Sequence, residues 1–381
     1  MRNRSGRAHL IHLDAVVESQ GSHIMEFSIG TCAKIDQVSM VKQAEDLGVT
    51  HFGVGEGPLL FSDPYQFLAL AARETSTIKL GTMVTNPLTR IAPVTANSMA
   101  TLNALAPGRT YLGIGTANNA LRSMGNRTAK ISELMHAIEV SRDLMAGRRT
   151  VHKWLGQERE VEFLDKESGF YNVKDHIPIW VAAGGPKGLA EAVKYADAIV
   201  YCLGPNPDMI KLIRTRLDEA VANAGRAPGS VKLVSLSWFY QLEKGETWED
   251  GVTKGFGSGP ISSCITNSGL MDQNRDVLGN AIVDASITAA QQYLGDPTAV
   301  DQPHYLDTWA KYLRGLDPRH RPIITKELVD YWCLYGSPAE LRDKTALMLE
   351  SGVDITQVFL SNPFTAQRDI DNIGRSILAH A

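Results

Sequence analysis

The sequence predicts a (β/α)8 TIM barrel with a helical insertion between strands 7 and 8. Three observations carry this. Short apolar runs alternate eight times with helical stretches, without an obvious second core. Ile78 to Gly125 reads strand, loop, helix, strand, loop, a βαβ unit whose strands must be parallel. A length of 381 residues suits one barrel carrying an insertion. No GxGxxG opens a helix directly after the first strand, which argues against a nucleotide-binding Rossmann domain.

The elements follow in order. Glu26–Gly30 is strand one, and a helix runs from Asp36, its expected N-cap, to Leu47, with Gly48 ending it. Strand two is Thr50–Gly55, and Asp63-Pro64 starts a helix to Thr75. Strand three is Ile78–Val84, broken by Thr85-Asn86-Pro87. The helix from Pro93 should bury Val94, Met99, Leu102 and Leu105 before Pro107-Gly108 ends it. Tyr111–Ile114 is strand four, and Arg127–Met145 is a long helix. Gly147–Ile177 reads as an irregular polar connection. Strands five and six are Pro178–Ala182 and Asp197–Tyr201, with a helix to about Tyr195 between them and another over Asp208–Ala224. Val231–Leu242 is strand seven. Residues 243–340 form the insertion, far too long for a plain βα connection and placed to cover the barrel's C-terminal mouth, with helices at Gln273–Gly295 and His304–Leu313. Ser337 caps Pro338–Ser351, Gln357–Leu360 is the last strand, and Ala366–Leu378 closes the chain.

Composition narrows the function. With 44% hydrophobic residues, a net charge of −4 and no basic run, the chain supports a large core and no nucleic-acid binding. Its four cysteines show no metal or disulfide spacing, so a reducing, cytoplasmic setting is expected. No apolar stretch approaches the roughly 20 residues that span a bilayer. Residues 1–24 open with Arg2, Arg4 and Arg7 and lack a signal-peptide core, reading as a flexible extension ahead of a domain over 25–381.

Chemistry should sit where parallel strands end. Ala182-Ala183-Gly184-Gly185-Pro186-Lys187-Gly188 joins a strand to a helix N-terminus, where first-turn amides and the helix dipole favour a phosphate and Lys187 adds charge. The same residues also suit a tight turn with a surface lysine. Gly113–Asn119 ends strand four with small residues and neutral hydrogen-bonding groups, Thr116, Asn118 and Asn119. Glu56, after strand two, is a candidate acid or base if desolvated, or else an ordinary carboxylate paired with an arginine. Trp238 and Tyr240 are a candidate aromatic wall, His51 reads as structural, and His320-Arg321 reads as a solvated face or an anion contact. No metal triad or hydrolase triad is visible, which fits an enzyme whose cofactor carries the reaction.

At Gly81–Arg109, Leu112–Gly125, Pro178–Val200 and Glu327–Asp354 the chain resembles the bacterial luciferase-like superfamily of flavin- and F420-dependent oxidoreductases, in the branch of methylenetetrahydromethanopterin reductase-like proteins. The resemblance implies a barrel, usually a homodimer, with FMN or coenzyme F420 at its C-terminal face. The ring would lie at Thr85, Asn86 and Gly115-Thr116, with Asn118 a further cofactor-binding candidate, and the phosphate at Ala183, Gly184, Gly185, Pro186 and Lys187. Ala117-Asn118-Asn119 stands where the family often has Gly-Asp-Ser. Gly55-Glu56-Gly57-Pro58 replaces a histidine-bearing motif. The first expectation is a monooxygenase using reduced FMN and O2 on a small organic substrate, with a flavin reductase as partner. The alternatives are an F420-dependent reductase or dehydrogenase, and a non-catalytic flavin-binding barrel.

Overall fold

A computed structural model describes residues 26–116, 118–294, 305–310, 312–313 and 316–380. The extension read at 1–24 lies outside the described residues. Eleven strands are described: β1 (Phe27–Cys32), β2 (His51–Gly55), β3 (Lys79–Thr82), β4 (Thr110–Gly115), β5 (Thr150–Trp154), β6 (Gln157–Val161), β7 (Ile179–Ala182), β8 (Ala198–Cys202), β9 (Lys232–Gln241), β10 (Cys333–Gly336) and β11 (Ile355–Leu360). Eight of them pair in parallel in the order β1-β2-β3-β4-β7-β8-β9-β11, and β11 returns to β1. The barrel is closed. No described helix is long and apolar enough to cross a membrane.

Alternation along each strand sorts the side chains. Ile29, Phe52, Val54, Leu80, Leu112, Ile114 and Val181 are buried in the main core with the surrounding helices. The lumen is filled at the strand starts, where Tyr111 and Trp180 stack at 4.2 Å and His51 lies 5.0 Å from Trp180. Burial lowers the His51 pKa to about 3, so its imidazole is neutral there. At the strand ends the inward residues are Gly55, Gly115 and Ala182. Large residues below and small ones above leave the C-terminal mouth open.

Capping explains several helix starts. Asp63 accepts from the Tyr65 and Gln66 amides ahead of Pro64–Glu74, and Ser337 with Glu340 forms a capping box on Pro338–Glu350. Asp36 does not cap a helix. A 3-10 turn over Ile35–Gln37 precedes Ser39–Asp46, and the Asp36 carboxylate pairs with Lys34 instead. In Ala92–Leu105 the expected Val94 and Leu105 are exposed, while Thr95, Ala96, Ala100 and Asn103 join Met99 and Leu102 inside. Small residues face the barrel because the helix lies close to it.

The connection over 147–177 is not wholly irregular, since β5 and β6 form an antiparallel hairpin. Its turn residues Leu155 and Gly156 both have positive φ, the two-residue form that matches strand twist. Residues 242–332 hold helices Gly259–Asp272, Asn280–Leu294 and Lys326–Trp332, with shorter helical turns among the other described residues. The stretch expected as one helix from Gln273 breaks at Gly279, where φ is +83°. In the region expected as His304–Leu313, Tyr305–Trp309 is helical and His304 lies outside the described residues. Lys326–Trp332 runs straight into β10, which pairs with the outer half of β9, from Trp238 to Gln241.

Candidate active site

A cavity of about 500 Å³ opens at the C-terminal ends of the barrel strands. That volume is in the range of small-ligand sites. Met83, Val84, Leu236, Trp238 and Phe359 give it apolar walls, and Ser262, Thr266, Asn267, Gly269 and Leu270 of the helix Gly259–Asp272 close one side. That helix is pinned to the barrel. The Trp238 indole donates to Ser263 Oγ at 2.7 Å, Cys202 Sγ lies 2.9 Å from the same oxygen, and Asn267 Nδ2 donates to the Cys202 carbonyl. Gly259 makes this approach possible, because a Cβ there would overlap the Trp238 ring.

Glu56 sits at one edge, 6% exposed and lining the cavity. Thr85 Oγ1 and Asn86 Nδ2 donate to its Oε2 at 2.5 and 3.2 Å, and Thr89 Oγ1 donates to Oε1 at 3.0 Å. The Arg90 guanidinium is 4.0 Å from Oε1, lies over the Tyr65 ring at 4.5 Å and is paired with Asp63. Tyr65 Oη donates to Thr85 Oγ1. Asn86 Oδ1 accepts from the Leu88 and Thr89 amides, which shapes the loop that brings Thr89 round. Burial outweighs these donors and raises the Glu56 pKa above the ordinary glutamate value. The carboxyl is held in place from several directions.

Thr85 and Asn86 are fully buried behind Glu56 and are not among the residues that line the cavity. Gly115 and Thr116 do line it, together with Asn119. The side chain of Asn118, and Ala117 entirely, lie outside the described residues.

Across the mouth, Ala183, Gly184 and Gly185 line the cavity. Tyr201 Oη donates to the Gly184 carbonyl at 3.1 Å and ties the turn to β8. Gly185 is the N-cap of Pro186–Ala192, and no atom of the described residues lies within 4 Å of where its Cβ would stand. Pro186 has no N–H to offer, so Lys187 and Gly188 carry the first-turn amides, which find no partner within a helix. Pro186 and Lys187 are exposed beside the opening, and Lys187 forms no ion pair among the described residues. The room left at Gly185 and these unpaired amides fit the anionic tail of a phosphorylated cofactor, and the apolar walls fit a planar ring.

Other candidates lie elsewhere. Tyr240 bonds Glu246, His320 packs on Tyr293, and Arg321 stacks on Trp248; none lines the cavity. Thr89, Arg90 and the 259–272 helix were not singled out in the sequence. An Asn-x-x-Thr after a strand was the available signal for Thr89. Among the described residues no group of three or more His, Cys, Asp or Glu is placed to hold a metal.

Comparison with known proteins adds the relationships. The model of the family described as luciferase-like monooxygenase matches residues 32–354. The 5,10-methylenetetrahydromethanopterin reductase of Archaeoglobus fulgidus is 25% identical over 89% of this chain and 93% of its own length. An F420-dependent glucose-6-phosphate dehydrogenase of Kineococcus radiotolerans is 34% identical over 43% of this chain and 50% of its own. Among solved structures, the coenzyme F420-dependent tetrahydromethanopterin reductase of Methanopyrus kandleri has a TM-score of 0.67 at 18% identity, covering 93% of this chain and 99% of its own. The FMN-bound oxygenating constituent of 3,6-diketocamphane monooxygenase from Pseudomonas putida has 0.61 at 17% identity, covering 93% and 98%.

Proposed function

The chain belongs to the luciferase-like monooxygenase family and is an oxidoreductase, and from that premise we propose that it is an F420-dependent reductase or dehydrogenase acting on a small organic alcohol or carbonyl compound. One observation carries the reading: a buried carboxyl and a glycine-lined turn at a helix start border the same apolar cavity. The 34% identical F420-dependent dehydrogenase favours the deazaflavin over FMN. Bound there, such a cofactor supplies hydride transfer.

The chain's own residues do the rest. Gly184, Gly185 and the amides of Lys187 and Gly188 receive the phosphate, with Lys187 beside it. Gly115 and Thr116 let the ring approach the backbone. The walls from Met83, Trp238 and Phe359 exclude water. Glu56 gives a proton to, or takes one from, the substrate oxygen, held for that task by Thr85, Asn86 and Thr89.

Titration of the purified protein with oxidised and reduced F420 and FMN tests this. F420 is expected to bind at least about tenfold more tightly than FMN, about 1.4 kcal/mol, with turnover that needs no O2. The second reading, a monooxygenase using reduced FMN with a flavin reductase as partner, draws on the fold shared with the FMN-bound camphane enzyme. Tight binding of reduced FMN and oxygen-dependent turnover would replace the first reading with it.

A further inference from the structure

Two features of the cavity bear on what it accepts, and both rest on the cofactor reading above. The first is charge. Among the described residues that line the cavity there is no Lys, Arg or His, and Glu56 is the only carboxylate. The remaining titratable groups, Tyr201 and Cys202, are kept protonated by burial, the thiol being pushed up to about 12. Among the described lining residues a second anion would meet no cation and would lie next to a carboxylate, which disfavours it there.

The second is Gly269. It lies inside the helix Gly259–Asp272, where glycine is less stable than alanine. Gly259, at the start of the same helix, has a packing reason, the Trp238 ring. Gly269 has none among the described residues: no atom of theirs lies within 4 Å of where its Cβ would stand, and its φ is not in the left-handed region. It lines the cavity one turn after Thr266 and beside Leu270. The space above it is open to whatever enters.

We propose that the substrate is an uncharged alcohol or carbonyl compound lying across the Thr266–Leu270 face of this helix, and that Gly269 sets the bulk it can carry. Glu56 meets the polar end, and the hydrocarbon part extends toward Gly269. A phosphorylated sugar, the substrate in the name of the Kineococcus relative, is then a poor fit to this chain.

The test uses the F420-loaded enzyme and reads the absorbance of bound F420 as probes are added. Cyclohexanone and the bulkier 4-tert-butylcyclohexanone are the neutral probes; cyclohexanecarboxylate and glucose 6-phosphate are the charged ones. Both ketones are expected to perturb the spectrum, with the charged probes at least about 30-fold weaker. In Gly269→Leu the bulky ketone should lose about tenfold in affinity and cyclohexanone less than about threefold. Gly269→Ala should raise Tm, whereas Gly259→Ala should lower it. Charged probes binding as tightly as ketones, neither ketone binding, or a bulky ketone indifferent to Gly269→Leu would each overturn the proposal. F420 affinity, measured separately, tells the two readings apart: its absence removes the cofactor assignment, and its presence with probes that ignore Gly269 removes only this one.

Discussion

The two edges of the cavity are built in opposite ways. The Glu56 edge is made of side chains: Thr85, Asn86 and Thr89 donate to one carboxylate, and Arg90 stands 4.0 Å away. The Gly184–Gly185 edge is made of main chain, with an open Gly185 and one tie from Tyr201. A side-chain site is tuned by its neighbours and weakened by removing atoms. A main-chain site survives most side-chain changes, but fails when bulk or charge is added where the backbone needed room.

The sharpest test of that difference is Gly185→Asp. The residue is exposed with nothing within 4 Å of its Cβ position, and its φ of −86° suits any residue, so the barrel should fold with little change in Tm. A carboxylate placed about 4 Å from a phosphate costs about 4 kcal/mol at an effective dielectric of 20. Cofactor affinity should therefore fall about a thousandfold, measured by F420 titration. Unchanged affinity would remove the phosphate from this turn.

Glu56→Gln probes the opposite edge and should leave cofactor affinity within about twofold. Loss of a positioned proton donor should lower kcat about 100-fold, the low end for general acid–base catalysis. The pH behaviour has a defined sign. Because burial raises the pKa of Glu56 in the folded protein, the folded state holds more protons than the unfolded one between the ordinary value of 4.5 and the raised one. The contribution of Glu56 to stability is therefore greatest below 4.5, falls as pH rises through that window, and stays lower above it. The Gln variant should lack this fall in urea titrations at several pH values. In the carbonyl-reducing direction the wild-type rate should decline through the raised pKa, and that limb should vanish from the variant's profile.

Much of this was legible in the sequence because it depends on the local pattern. Strand runs ending in Gly55-Glu56, Gly115-Thr116 and Ala183-Gly184-Gly185 mark the C-terminal rim directly, and closed barrels place such ends together. What was hidden depends on tertiary packing. Thr85 and Asn86 were expected at a cofactor ring, yet they face Glu56, a carboxylate about thirty residues earlier, which no spacing rule reveals. Helix Gly259–Asp272 has buried residues on several sides, including Pro260, Ile261, Cys264, Leu270 and Met271, so its apolar positions show no single stripe. The β5–β6 hairpin turns at Leu155-Gly156, without the Asn-Gly signal of such turns, and most of its strand residues are exposed.

The smallest expected effect is also the most discriminating about the side-chain edge. Thr89 touches Glu56 through one hydroxyl, donating to Oε1 while accepting from Asn86 Nδ2. Thr89→Val keeps the shape and removes that donor. The hydrogen bond is one of the groups that lower the Glu56 pKa against burial, so its loss should move the midpoint of the pH–rate profile upward. The rate plateau at low pH should change only a few-fold, since Thr85 and Asn86 still hold Oε2 in place. The variant should also lose about 1 kcal/mol of stability, because Asn86 Nδ2 is left with one acceptor fewer. A midpoint that moves downward would mean the hydroxyl acts on the neutral acid rather than on the carboxylate. A midpoint that stays fixed while the plateau drops about 100-fold would assign Thr89 to the substrate instead of to Glu56.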